Sequence, residues 1–131
     1  MTVFTKIISG AIPSYKIAES EHFFAFLDIY PQVEGHVLVV PKIEVDKFFD
    51  LGDTYLAEML VFAKPIAQAI EKSFPCNRCG MIVLGLEVPH AHLHLLPINT
   101  PSDLNFNRNK LTVTHGKLQE IQQKILAAMA V

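Results

Sequence analysis

The sequence has few of the residues that build disulfide-bonded, membrane-spanning or nucleic-acid-binding proteins. Its 131 residues include two cysteines, Cys76 and Cys79, too few for a disulfide framework. Charged residues make up 18% and the formal net charge is −2, which argues against nucleic acid or a membrane surface as the main partner. No apolar run is long enough to cross a membrane, and the first six residues lack the apolar core of a signal peptide. We therefore expect a cytoplasmic protein.

Apolar residues are abundant, at 50% of the chain, and no repeat, linker or low-complexity segment interrupts them. This length and composition predict a single domain over residues 1–131. The mean hydropathy of +0.30 is high for a small monomer. We therefore expect part of the surface to be buried in a homodimer.

The spacing of apolar residues predicts an α+β fold with a mostly antiparallel sheet. Strands are predicted over residues 16–19, 23–27, 36–41, 81–84 and 90–98. Helices are predicted over residues 4–9, 53–74 and 117–129. In the long helix, Asp53 or Thr54 is the expected N-cap, and Pro65 is expected to produce a kink.

Three histidines at alternate positions are the most informative feature of the chain. His90, His92 and His94 stand in the apolar run Pro89-His90-Ala91-His92-Leu93-His94-Leu95-Leu96-Pro97. A strand sends alternate side chains to opposite faces, so the three imidazoles would share one face. Because neutral imidazole is both a nucleophile and a metal ligand, this ladder predicts a functional site.

Two other interpretations stay open. The histidines could be hydrogen-bonded core residues, but three separately satisfied imidazoles on one face would be needed. They could also bind a metal, although the Cα atoms of His90 and His94 would lie about 13 Å apart on a strand. No carboxylate follows the strand closely, and the Cys76–Cys79 pair lacks the second pair that structural zinc requires.

Covalent catalysis at phosphorus is the third interpretation. An imidazole nitrogen can attack a phosphate ester, anhydride or amide and divide one displacement into two. Neighbouring imidazoles can bind the nonbridging oxygens and assist the leaving group. His92, with a histidine on either side, is the natural nucleophile.

The motif resembles the signature of the histidine triad (HIT) superfamily, and the similarity extends upstream. The segments 4–13, 26–32 and 35–42 resemble the N-terminal and central blocks of the family, so the similarity covers about residues 4–98. The resemblance implies a five-stranded antiparallel sheet that continues across a homodimer. It also implies a nucleotide hydrolase or transferase that acts at the α-phosphate of phosphoramidates, adenylates or related purine nucleotides, without a metal or other cofactor.

The resemblance also implies roles for individual residues. His92 would be the nucleophile between His90 and His94, His36 the fourth active-site histidine, and Asp28 the ligand of the ribose hydroxyls. The apolar wall of the base pocket would consist of Phe4, Ile7, Ile12, Phe26 and Ile29. From the residues alone, Asp28 could equally cap a turn, and His36 and the apolar residues could belong to the core.

The sequence departs from the family pattern just before the triad. The loop there is shortened, Leu86 replaces a glutamine, and Glu87 replaces a residue that is often serine; Glu44 replaces a frequent histidine. Glu87 would repel a phosphate unless it is protonated, turned away or paired with a cation, or it could act on a leaving-group amine. Two alternatives therefore stay open: a dinucleoside polyphosphate hydrolase, and a nucleotide-binding protein without catalysis. The extension over residues 99–131 has no predicted role.

Overall fold

The computed structural model describes residues 1–130 and contains a single five-stranded antiparallel sheet. The strands are β1 (Lys16–Glu19), β2 (Phe23–Leu27), β3 (Val37–Pro41), β4 (Arg78–Ile82) and β5 (Leu93–Ile98), and the helices are α1 (Val3–Ser9), α2 (Asp53–Ser73) and α3 (His115–Met129). The strand order is β1-β2-β3-β5-β4, so β1 and β4 are the edges. This confirms the predicted α+β fold.

The two faces of the sheet bury different helices. Along β2, Ala25 and Leu27 face a large core that also contains the apolar sides of α2 and α3. Phe24 and Phe26 face the opposite way and pack with Phe4 of α1. Both faces of β2 and β3 are thus covered, which explains why these strands read as continuous apolar runs. The functional site lies on the α1 side.

The helices agree with the predicted periodicity, but the expected cap of α2 is wrong. Gly52 occupies the N-cap position, and no side chain caps the helix. Asp53 lies instead in the first turn, where its charge favours the positive end of the helix dipole. The helix continues through Pro65, which lies on its exposed side. None of the helices within residues 1–130 has the length and apolar character needed to cross a membrane.

The histidine strand is shorter than predicted. The alternation of apolar residues predicts a strand over residues 90–98, but β5 starts at Leu93. The β4 ladder ends where Ile82 pairs with His94. N-terminal to Leu93 the backbone forms hydrogen bonds outside the sheet: the Ala91 N–H donates to the Val45 carbonyl at 2.6 Å. His90 and His92 therefore lie in the loop before β5, so the pleat of the sheet does not fix the direction of their rings.

Two further boundaries differ from the predictions. The strand predicted over residues 81–84 is β4, which pairs from Arg78 opposite Ile98. The helix predicted over residues 117–129 starts at His115 instead, because the Thr114 hydroxyl accepts a hydrogen bond from the Lys117 N–H at 3.2 Å and caps it. Both differences lie at ends that carry polar residues or glycine, where periodicity gives no signal.

A glycine closes the loop between β2 and β3. Gly35 has a φ of +94°, a conformation that L side chains rarely adopt. A Cβ atom at Gly35 would lie 2.6 Å from the Phe74 ring, which follows α2. The close approach fixes this loop against the end of the long helix, and the same loop carries Asp28 and His36.

Candidate active site

A cavity of about 560 Å³ lies beside α1, over the loop that joins β4 to β5. It is within the range of small-molecule sites. The predicted site residues that line it are Phe4, Asp28, Glu87, His92 and His94. His36 and His90 are almost fully buried beside it, at 1% and 0% exposure. The structure therefore brings all four predicted histidines into one region.

The ring of His92 is held by a backbone carbonyl. Its Nδ1 lies 2.7 Å from the carbonyl oxygen of His90, which can only accept, so Nδ1 carries the proton. The Nε2 lone pair is then free, and the residue lines the cavity. Phe4 meets the ring edge-on, with centroids 4.9 Å apart, and limits its rotation. His92 thus has the tautomer that a nucleophile requires.

A relay of hydrogen bonds orients His94. The Gln32 backbone N–H donates to His36 Nδ1 at 3.2 Å, so neutral His36 carries its proton on Nε2. That nitrogen lies 2.8 Å from His94 Nδ1 and donates to it. Neutral His94 must therefore carry its own proton on Nε2. Because His94 lines the cavity, the relay provides a fixed hydrogen-bond donor for an anionic ligand.

Burial keeps these imidazoles uncharged. Desolvation, with smaller charge effects from neighbouring groups, lowers the pKa of His36 from 6.5 to about 2 and that of His94 to about 3. Burial also lowers the pKa of His92, against the opposing effect of its hydrogen bond to the His90 carbonyl. All three are consequently neutral at physiological pH, as the tautomer assignments require.

His90 connects the site to the start of α1. Its Nε2 lies 2.9 Å from the Pro41 carbonyl, and its Nδ1 lies 2.8 Å from the Thr2 hydroxyl. Thr2 is also the N-cap of α1, and its N–H donates to Glu44 at 2.6 Å. Thr5 donates to the same carboxylate oxygen at 2.7 Å. Glu44 therefore holds α1 against the triad from outside the cavity.

Asp28 caps a turn and also faces the cavity. Its Oδ1 accepts a hydrogen bond from the Tyr30 N–H at 2.9 Å, which is an Asx turn. Its Oδ2 lies 3.8 Å from His36 Nδ1, and the side chain lines the cavity. Burial raises the pKa of this carboxyl group. One carboxylate oxygen is left for a ligand.

Asp28, His36 and His94 form the one cluster in residues 1–130 whose ligand atoms are close enough for a metal ion, all within 4.8 Å of one another. This set contains the carboxylate that the sequence does not place near the triad. However, His36 Nδ1 already accepts from the Gln32 N–H, and its Nε2 binds His94. A cation would have to replace these hydrogen bonds, so the geometry fits the relay better.

Of the five apolar residues predicted to line the base pocket, Phe4 is the one that lines the cavity. Phe4 lines the cavity, whereas Phe26 and Ile7 pack behind it in the same apolar cluster. Ile12 is half-buried and Ile29 is 47% exposed, and neither lines the cavity.

The sequence did not reveal part of the cavity wall. Tyr30 and several residues of the segment 104–110 line it, among them Phe106 and Lys110. The Phe106 ring contacts His94 edge-on, with centroids 4.9 Å apart. The segment is polar and irregular, so periodicity gave it no role. The sequence features that could have indicated this part of the wall are Phe106 and Lys110, which stand among asparagines.

Glu87 stands exposed at the mouth of the cavity, and Lys110 faces it. The Lys110 Nζ lies 3.4 Å from Glu87 Oε2. Of the three ways in which Glu87 could avoid repelling a phosphate, the structure has the pairing with a cation. The pair thus reduces the repulsion that an isolated carboxylate would exert on a phosphate.

The fold and the site define a class: an α+β protein whose central antiparallel sheet carries a nucleotide-sized cavity with fixed neutral histidines. The chain belongs to the HIT family, since the HIT domain model matches residues 9–100. Within this family the chain is 38% identical over 96 residues to adenosine 5′-monophosphoramidase of Saccharomyces cerevisiae, covering 72% of this chain and 61% of that protein. The match thus spans less than two thirds of that relative.

Solved structures share the fold over nearly the whole chain. A HIT-like protein of Bartonella henselae has a TM-score of 0.85 at 29% identity, covering 97% of this chain and 95% of the other. A zinc-bound histidine triad protein of Mycobacterium smegmatis has a TM-score of 0.82 at 28% identity, covering 98% and 92%. Together with the family match, the monophosphoramidase relative supports a nucleotide hydrolase at the level of the family.

Proposed function

We propose that the chain hydrolyses purine nucleoside phosphoramidates, adenylates or related nucleotides, or transfers their nucleotidyl group, through a covalent nucleotidyl-His92 intermediate. The observation that carries this proposal is the 2.7 Å hydrogen bond between His92 Nδ1 and the His90 carbonyl. It leaves Nε2 unprotonated on the cavity side, as attack on phosphorus requires. The monophosphoramidase relative supports the same substrate class.

The first step forms one bond and breaks one. The Nε2 lone pair of His92 attacks the α-phosphorus, and the phosphorus–nitrogen bond to the leaving amine breaks. The amine takes a proton from solvent at the open mouth of the cavity. His94 Nε2–H, oriented by His36, donates to a nonbridging oxygen as negative charge develops there. A water molecule then attacks the phosphorus, and the bond between phosphorus and His92 Nε2 breaks. The nucleoside monophosphate leaves, the attacking water gives up a proton to solvent, and Nε2 regains its lone pair.

The remaining predicted residues hold the nucleoside. Asp28 Oδ2 is available to accept from a ribose hydroxyl, because Oδ1 is occupied by the Tyr30 N–H. Phe4 offers its ring to the purine base, with Ile7 and Phe26 packed behind it. Ile12 and Ile29, which the resemblance placed in this wall, lie outside the cavity and are not part of the proposed pocket.

We also propose that the protein is a homodimer in which the sheet continues through β4. This strand is an edge of the sheet, and no other strand within residues 1–130 pairs with its outer side. Met81, Val83 and Leu84, on and just after it, are exposed apolar residues. A second copy of the same edge would cover both the backbone and these side chains.

Turnover of adenosine 5′-phosphoramidate in the presence of a chelator tests the catalytic proposal. The wild type should release AMP, and His92→Ala should lower kcat by at least about a thousandfold because the nucleophile is lost. His22→Ala is the matched control, since His22 lies on the surface away from the cavity. Rapid quenching in alkaline denaturant should trap the labelled nucleotide on wild-type protein, because the bond between phosphorus and a histidine nitrogen breaks in acid but survives in alkali.

Other outcomes would contradict the proposal in different ways. Activity that the chelator abolishes would favour metal catalysis at Asp28, His36 and His94. Binding of AMP without any turnover would favour a nucleotide-binding protein. Faster turnover of a dinucleoside polyphosphate than of the phosphoramidate would assign the alternative hydrolase activity.

A further inference from the structure

We propose that Lys110 is the specificity-determining residue that neutralises the substrate phosphate, and that Glu87 holds its ammonium group at the mouth until a phosphate replaces the carboxylate. The inference rests on the proposed function, because it places a nucleotide phosphate between His92 and His94. It assigns a binding role to the extension that follows the triad.

The charges around the cavity lead to this assignment. Its charged lining residues are Asp28, Glu87 and Lys110. The two triad histidines in the wall, His92 and His94, are held neutral by burial and supply hydrogen bonds but no positive charge. Among the lining residues in the described part of the chain, Lys110 is therefore the one permanent cation available to a phosphate.

The Glu87–Lys110 pair is weak enough to be exchanged. The two charged atoms lie 3.4 Å apart, and the side chains are 77% and 37% exposed. Solvent screens such a pair. A phosphate carries more charge than one carboxylate and can therefore displace it from Lys110. Lys110 lines the same cavity as His92, His94 and Asp28.

The backbone on both sides of Lys110 is anchored. The Leu111 N–H donates to the Pro31 carbonyl at 2.8 Å, and the Arg108 guanidinium donates to the Gln32 carbonyl at 3.2 Å. Both acceptors belong to the loop that carries Asp28. These hydrogen bonds hold the backbone around Lys110 against the loop that carries Asp28. Lys110 itself lies outside the matched HIT domain at residues 9–100.

Binding of AMP and of adenosine separates this role from a general effect on the cavity. In Lys110→Gln we expect the Kd for AMP to rise about tenfold, the usual size of one charge-assisted contact, with the Kd for adenosine unchanged. Lys110→Arg should keep most of the AMP affinity. Added salt should weaken AMP binding to the wild type more than to Lys110→Gln.

Lys117→Gln is the matched control. Lys117 is 39% exposed and paired with Glu34 and Glu120, but it lies on α3 outside the cavity. Glu87→Gln should lower the Kd for AMP by freeing Lys110, and the effects of Glu87→Gln and Lys110→Gln should not be additive in the double variant. Such coupling would show that the two residues act on one anion.

Two results would overturn the assignment of Lys110: an unchanged Kd for AMP in Lys110→Gln, or an equal loss for adenosine. Failure of the proposed function is distinguishable from either. If the wild type binds AMP with the expected Lys110 dependence but does not cleave the phosphoramidate, the binding role stands and the catalytic proposal fails. A wild type that binds no AMP would contradict both.

Discussion

At the residue scale, the site is defined by where each imidazole proton lies. His92 donates through Nδ1 to a carbonyl, whereas His94 accepts at Nδ1 from His36. Two neighbouring histidines therefore present opposite groups to the cavity, a lone pair and an N–H. This division suits a nucleophile beside an oxyanion donor.

The protonation states can be measured directly. We expect ¹⁵N NMR of the free protein at pH 7 to show an Nδ1–H tautomer for His92 and Nε2–H tautomers for His36 and His94. Because burial lowers all three pKa values below 6.5, the neutral forms should persist as the pH falls through 6.5. The rate should decline only at lower pH, as His92 becomes protonated and loses its nucleophilic lone pair.

If His36, His92 or His94 were half protonated at pH 6.5, burial would not lower its pKa as described. His94→Asn gives a second comparison for the relay. It should change the ¹⁵N signals of His36, its hydrogen-bond partner, and leave the Nδ1–H signal of His92 in place, because that proton is held by a backbone carbonyl.

The spacing of the triad was enough to predict which histidines form the site, but not their tautomers. The tautomer of His92 depends on the His90 carbonyl, which faces His92 Nδ1 because the backbone is not part of the sheet there. The tautomers of His36 and His94 depend on the Gln32 N–H, which the sequence gives no reason to place near His36. Backbone partners of this kind are invisible to residue-type patterns.

At the element scale, the strands and helices with a regular spacing of apolar residues were the ones that the sequence predicted well. Strands β2 and β3 and helix α2 are long or uniformly apolar, and their predicted positions agree with the structure to within a residue. The strand predicted over residues 90–98 begins too early, since β5 starts at Leu93. Ala91 is buried although it lies in a loop, so the alternation of apolar and polar residues extends beyond the strand. The segment after β5 has no pattern at all, so its place over the cavity could not be predicted.

The loop between β2 and β3 offers a test of element packing. Gly35→Ala should destabilise the protein by about 2–4 kcal/mol, because it adds a strained positive φ and a clash with Phe74. Gly10→Ala is the matched control: Gly10 has a φ of +84° but no atom within 4 Å of an added Cβ. It should cost about 1–2 kcal/mol from backbone strain alone.

Urea denaturation followed by circular dichroism measures both variants. Equal losses of unfolding free energy in the two variants would mean that Phe74 moves aside without cost. In Gly35→Ala we also expect weaker AMP binding, since the same loop carries Asp28.

At the scale of the whole molecule, the exposed edge of the sheet is the feature that solution experiments can examine. Wild-type protein should sediment at twice the 14.6 kDa chain mass if two β4 edges pair. Met81→Lys places a charge at a 51% exposed apolar position on that edge and should shift the equilibrium toward monomer. Ile43→Lys also replaces an exposed apolar residue, but outside β4, and should leave the dimer intact.

A monomeric wild type would contradict the dimer proposal, and a dimer that survives Met81→Lys would move the interface elsewhere. Neither result bears on the fold, since both sides of the sheet are covered by helices of the same chain.

The wall formed by residues 104–110 has a consequence for how relatives are compared. Phe106 and Lys110 line the cavity but follow the matched HIT domain at residues 9–100. Two chains with the same triad can therefore differ at this wall and select different ligands.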